Sequence, residues 1–139
     1  MPNTFRIRVI TPEHTFFDDE AQMLIVEAAD GRYGIMAGHE PVVLSMVEGL
    51  LRFQLKDGSW KEAAASSGFA TVLPDEVTVM LQTAEWPEDI DKNRALEDAR
   101  IANERLRQQK SMQEYHLART MLARAMVRLR VTSRSTGGE

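Results

Sequence analysis

The sequence contains no cysteine. That excludes disulfide frameworks, thiolate metal sites and thiol nucleophiles, and it fits a reducing compartment. No stretch approaches the ~20 apolar residues of a membrane-spanning helix. Met1 to Ile10 mix polar and basic residues with apolar ones and do not form a secretory leader. The expectation is a soluble chain without direct membrane insertion, held at any membrane by a partner. A Gly-x-x-x-x-Gly-Lys-Ser/Thr phosphate loop is missing, so nucleotide hydrolysis is not expected. His14, His39 and His116 are scattered without metal-ligand spacing. Asp18-Asp19-Glu20 reads as a solvated turn whose consecutive carboxylates point apart, not as an acid–base pair. Net charge is only −4, and the acidic first half has no aromatic–basic surface, which excludes nucleic acid as a partner.

What is present divides in two. With 139 residues, 43% of them hydrophobic, the chain can build one small domain and an appendage. Residues 1–84 carry 6 basic and 12 acidic side chains, whereas residues 85–139 carry 11 basic and 9 acidic ones. An acidic first part and a basic tail imply modules with different contacts. We place the boundary between residues 1–85 and 86–139.

The first module has the period of strands. Phe5, Ile7 and Val9 alternate with Arg6 and Arg8, and Met23 to Ala28 is a short apolar run. Leu50 to Leu55 and Trp60 to Ala65 flank the hairpin signal Asp57-Gly58. Phe69 to Leu73 and Val77 to Leu81 flank the turn Pro74-Asp75, with Val77, Val79 and Leu81 on one face and Thr78 and Met80 on the other. This spacing predicts an antiparallel β-sandwich or barrel.

After the linker Glu85 to Asp89 the period becomes helical. Asp91 is the N-cap of a first helix bearing Ala95, Ala99, Ala102 and Leu106 on one stripe. Gln108 to Gln113 reads as a turn. A second helix carries Ala118, Leu122, Ala125 and Leu129 on its stripe, with Met121 and Met126 beside it, and frays from Thr132. Facing stripes predict an antiparallel helical hairpin, and the whole chain an α+β fold. Alanine buries little area. Only Leu106, Met121, Leu122 and Leu129 would gain the usual ~1.5–3 kcal/mol each, and ordering the chain offsets much of that. The predicted hairpin is marginally closed, so a coupling of about 1–3 kcal/mol would switch it. Opened end to end, about 40 helical residues would span roughly 60 Å.

Asp30-Gly-Arg-Tyr-Gly-Ile-Met-Ala-Gly-His-Glu-Pro-Val43 resembles the signature of the epsilon subunits of rotary ATP synthases. Further marks stand in the same order: Thr11-Pro12-Glu13, Gly68-Phe69, Val77-Thr-Val79, Ile90-Asp91, Arg94-Ala95 and Ala125-Met-Val-Arg-Leu-Arg-Val131. The resemblance covers residues 5–131. Ala37 stands where proline is common, and Ser67 where many members have glycine. The resemblance implies a β-sandwich of about ten strands followed by two helices, in a non-catalytic subunit present once per complex. Its implied partners are the gamma subunit and the ring of membrane rotor subunits, with the alpha and beta subunits reached through the C-terminal helices. The hairpin would open to block rotation in the hydrolysis direction. The implied location is the cytoplasmic face of the cell membrane.

The same resemblance picks out residues. The segment bearing Asp30, Gly31, Arg32, Tyr33, Gly34, Gly38 and His39 would be a loop facing the membrane ring. Read locally, its glycines permit positive φ and His39 satisfies nearby backbone groups. Arg119, Arg124, Arg128 and Arg130 would form a basic helix face meeting an acidic surface; otherwise they are solvated flanks over the stripe. Some family members bind ATP through an Ile-Asp-x-x-Arg-Ala motif and two arginines. Here Glu85, Ile90, Asp91, Arg94, Ala95, Arg124 and Arg128 match, while Ile101 replaces an arginine of strong binders. ATP is then a candidate regulatory ligand, and no cofactor is required. The main alternative is a stand-alone nucleotide-sensing β-sandwich module.

Overall fold

The computed structural model describes residues 3–108 and 111–137. Nine strands lie among the described residues: β1 Phe5–Ile10, β2 Thr15–Ala28, β3 Gly31–Met36, β4 Val42–Met46, β5 Gly49–Leu55, β6 Trp60–Ala65, β7 Gly68–Val72, β8 Glu76–Leu81 and β9 Ala84–Glu85. The strand order is β1-β8-β7-β4-β2-β5-β6-β9, with β3 on β2. The β1–β2 pairing closes the sheet on itself, and β1 runs parallel to β8. Alternation fixes the interior: Phe5, Ile7 and Val9 of β1 and Val77, Val79 and Leu81 of β8 face inward, packed with Leu24, Ile35, Leu51, Phe53 and Val72. Gly68 is required where β7 meets β8, because a Cβ there would strike the backbone of Met80 and Leu81.

Two segments differ from the expectation. Asp18 to Glu20 belong to the long strand β2, not to a turn. Across the ladder Arg6 and Arg8 both reach Asp18, and Thr4 donates to Glu20. Gly31 to Met36 form strand β3 and not a loop, paired with Met23 to Ala28. The count of strands is nine against about ten.

A single 3-10 turn, Pro87–Asp89, leads to α1, Lys92–Gln108, and α2, Met112–Gly137. Asp91 caps α1, its Oδ1 accepting the Arg94 N–H at 3.1 Å. Ser111 caps α2, its Oγ accepting the Glu114 N–H at 3.0 Å, so the helix starts within the predicted turn. Of the predicted turn Gln108 to Gln113, residues 109–110 lie outside the described residues. The tail does not fray from Thr132: α2 runs to Gly137 with Val131 and Thr132 buried, and residues 138–139 lie outside the described residues.

The helices meet through Ala95, Ala99, Ala102, Ala118 and Ala125, all buried. α2 also docks on the outward face of β5 and β6, where Val127 and Val131 pack on Leu50 and Ala64, with Ile90 at the edge. The linker is anchored upstream of the helices. Trp86 stacks on Phe16 at 4.3 Å, meets Phe53 edge-on at 6.0 Å and takes the Lys61 ammonium over its ring at 4.7 Å. Trp86 is thus part of the sandwich, one residue past the expected boundary. Trp86→Ala should destabilise the sandwich by about 2–4 kcal/mol, read as a lower urea midpoint, with Trp86→Phe close to the parent. An unchanged midpoint for Trp86→Ala would remove Trp86 from the core.

Candidate functional site

Three clusters contain the residues singled out from the sequence. The first is the β2–β3 tip and the segment after it. Gly31 has φ 141° and Gly38 φ 84°, conformations that side-chain-bearing residues rarely adopt. Gly34 is not in that region; a Cβ there would sit 3.0 Å from the Met23 methyl. The Gly38 N–H donates to the Pro74 carbonyl at 2.7 Å, tying this segment to the β7–β8 turn. The His39 N–H donates to Met36 O, and its Nδ1 lies 2.7 Å from Glu40 O, so its contacts are with local backbone. Arg32 is exposed, 3.6 Å from Glu27. At the tip the Tyr33 hydroxyl donates to Asp30 Oδ2 at 2.7 Å.

The second cluster lies where the linker enters α1. Glu85, Asp89, Ile90, Asp91, Arg94, Ala95 and Arg128 line one open cavity of about 240 Å³. The fold thus brings six of the seven proposed nucleotide residues together and adds Asp89. Arg128 is already engaged: its Nε donates to Glu85 Oε1 at 2.6 Å, and its Nη1 lies 3.8 Å from Asp98. The seventh residue, Arg124, lies outside this cavity. It reaches Glu48 at 3.3 Å and Gln82 at 3.0 Å, because its position on α2 faces the sandwich one turn earlier.

The third cluster is the basic helix. Its two arginine pairs have different environments. Arg124 and Arg128 are held by sandwich and linker acids, whereas Arg119 and Arg130 are exposed, with Arg119 over the Tyr115 ring at 5.8 Å. Sequence reasoning missed Glu48, Glu62, Gln82 and Asp98 as partners. One signal was available: the Asp57-Gly58 hairpin sets Arg52 opposite Glu62. The others depend on where α2 docks, which no local pattern encodes. Among the described residues no group of three or more His, Asp or Glu side chains could hold a metal ion, and no helix is long and apolar enough to cross a membrane.

The Tyr33 phenol is raised above its usual 10.0, first by the hydrogen bond to Asp30, then by slight burial and the Asp30 charge. A raised acid loses its contribution only as pH climbs through the folded value, so the tip stays intact at neutral pH. In a Tyr115→Phe background, ultraviolet phenolate titration should place Tyr33 above 10.0, and Asp30→Asn should bring it back down. No response to Asp30→Asn would mean that the hydrogen bond does not form in solution.

Comparison with known proteins matches two family domains that part between residues 87 and 88. Residues 4–87 match the family described as ATP synthase, Delta/Epsilon chain, beta-sandwich domain, and residues 88–133 match its long alpha-helix domain. The ATP synthase epsilon chain of Ruminiclostridium cellulolyticum is 44% identical, over 94% of this chain and 97% of its own. That of Caldanaerobacter subterraneus is 42% identical, over 96% and 97%. Among solved structures, a chain of the Euglena gracilis mitochondrial ATP synthase, OSCP/F1/c-ring, aligns over 98% of this chain and 82% of its own, with TM-score 0.82 at 17% identity. One from the Tetrahymena thermophila mitochondrial ATP synthase central stalk and c-ring aligns over 92% and 96%, with TM-score 0.60 at 10% identity. The two structural likenesses concern the fold. The family matches span nearly the whole chain and part at the linker, and the relatives agree with them over nearly their full lengths: the chain belongs to the ATP synthase delta/epsilon chain family.

Proposed function

We propose that the chain works as the non-catalytic epsilon subunit of a rotary ATP synthase. Its sandwich couples the gamma subunit to the membrane ring, and its hairpin restrains ATP hydrolysis. One observation carries the coupling role. The sandwich has two outward faces, and α2 covers only the one on β5 and β6. The other, on β4, β7 and β8, presents Val43, Ser45, Phe69, Thr71, Thr78 and Met80, with Glu76 at the start of β8 its one charge. Val43 is 66% exposed, Phe69 55% and Met80 50%, with Phe69 directly opposite Met80. Depletion of charge around exposed apolar side chains is the composition of an interface centre. We assign this face to the gamma subunit, and the Asp30–Tyr33 tip with the Gly38-His39 turn to the ring. The working location is the cytoplasmic face of the membrane, held there by these partners.

The inhibitory role rests on the weak apolar dock of α2. Val127, Val131 and Leu50 together gain roughly 5–9 kcal/mol, much of it offset by ordering the helices, so binding the helices elsewhere can displace it. The exposed Arg119 and Arg130 are then ready contacts for acidic surfaces of the alpha and beta subunits, joined by Arg124 and Arg128 on release.

The cavity at the linker supports ATP as a regulatory ligand of the closed hairpin. At about 240 Å³ it takes part of a nucleotide and leaves the rest in solvent. Glu85 and Asp91 can accept from the adenine amino group, and Arg94 and Arg128 can donate to phosphate. Arg128 must first leave Glu85, and Arg124 must leave Glu48, which lowers affinity.

Phe69→Glu with Met80→Glu should weaken binding to isolated gamma at least about tenfold, with the β circular dichroism retained; unchanged affinity would place gamma elsewhere. Removing residues 88–139 should keep gamma binding and abolish inhibition of the cognate head; equal inhibition would rule out the hairpin as the inhibitory element. Calorimetry should give weak ATP binding to the full chain, lost by roughly tenfold or more in Arg128→Ala. Binding unaffected by that substitution would move the nucleotide out of this cavity.

A further inference from the structure

The apolar contact between α2 and the sandwich is bordered by ion pairs on both flanks. At about 100° per residue, Arg124 and Arg128 lie on one side of Val127 and Val131, and Arg134 on the other. Arg134 Nη2 is 2.8 Å from Glu62 Oε2, and its Nε donates to Glu62 Oε1 at 2.9 Å. This is a two-bond, charge-assisted contact between the last part of α2 and strand β6.

Glu62 is unusual among the partners. Its side chain is only 17% exposed and is shared by two arginines. Arg52, directly opposite on β5, has its Nε 2.7 Å from Glu62 Oε2, and its guanidinium lies 5.1 Å from the Trp60 ring centre. The Arg52–Glu62 pair lies wholly within the sandwich and draws neither partner from α2; with no hydrogen bond at the Arg52 Nε, it is a pairing of charges. When Arg134 departs, Glu62 therefore keeps a counter-ion, and opening leaves no unpaired charge in a half-buried place. Glu48 is different: among the described residues its ion-pair partner, Arg124, sits on α2.

We propose that Arg134 and Glu62 form a reversible ionic catch that holds the helical hairpin on the sandwich, with Arg52 as the compensating charge that keeps release cheap. The catch makes the closed fraction a function of ionic strength, independently of any nucleotide in the linker cavity. It rests on the reading that the hairpin leaves the sandwich. A pair with one partner in solvent shifts such an equilibrium roughly two- to fivefold, and the effect fades as the Debye length falls to about 3 Å in ~1 M salt.

The test uses the full chain, which has no native cysteine, labelled at Lys56→Cys and Thr120→Cys for single-molecule energy transfer. In low salt without nucleotide, Arg134→Gln should raise the open fraction roughly two- to fivefold. The difference should vanish near ~1 M sodium chloride. Arg134→Lys should recover part of the loss, and Arg52→Gln should lower the open fraction. An open fraction unchanged by Arg134→Gln, or a difference that survives high salt, would overturn the catch. A rise with Arg52→Gln would overturn its compensating role. No open population in any variant or salt would instead sink the reading that the hairpin opens.

Discussion

The contact of α2 with the outward face of β5 and β6 is the constraint on which the other features depend. It makes one body of two modules that the linker alone would leave loosely joined. It covers one face of the sandwich with Val127 and Val131 on Leu50 and Ala64, and leaves the face of Val43, Phe69 and Met80 open. It also completes the linker cavity, because a docked α2 brings Arg128 to Glu85. Trp86 fixes the other end of the arrangement. Stacked on Phe16 and edge-on to Phe53, it holds the linker to the sandwich, so in the proposed function the hinge would fall between Pro87 and Asp91.

The energetics divide along the same line. The sandwich interior is filled by large side chains, among them Phe53, Ile7, Leu24, Ile35 and Leu51, all fully buried. The hairpin is closed largely by alanines, which give close approach of the helices but little buried area. What the helices lack in apolar contact is supplied by arginines paired with Glu48, Glu85 and Glu62. Such pairs are specific in geometry and modest in strength. They suit a contact that must be definite when closed and still open. In the proposed function the same arginines serve twice, on the sandwich when the hairpin is closed and on a partner or phosphate when it is not.

Much of this was legible in the sequence. Alternation at Phe5, Ile7 and Val9 and at Val77, Val79 and Leu81 located β1 and β8 and their inward faces. Asp57-Gly58 located the β5–β6 hairpin, and Asp91 and the alanine stripe located α1. The errors have physical causes. Asp18-Asp19-Glu20 looked like a turn because three acids in a row disfavour a strand locally, and cross-strand arginines override that. Gly31 to Met36 looked like a loop because of its glycines, although it pairs along its whole length with β2. Val127 and Val131 did not fall on the helix–helix stripe because they serve a different surface, the sandwich. Of the residues matched to a nucleotide motif by resemblance, Glu85, Ile90, Asp91, Arg94, Ala95 and Arg128 line one cavity. Arg124 lies outside it, since the docking angle of α2 is a tertiary property.

The central claim is that the hairpin must leave the sandwich to restrain hydrolysis. The most direct measurement exploits the absence of native cysteine. A cysteine pair, Ala64→Cys with Val127→Cys, spans the α2 dock. ATP hydrolysis by the cognate alpha–beta–gamma head is then followed with this variant reduced and oxidised. The account predicts saturable inhibition by the reduced chain near one copy per head, and loss of inhibition, with gamma binding retained, once the disulfide pins α2 down. Equal inhibition by the two forms would contradict it.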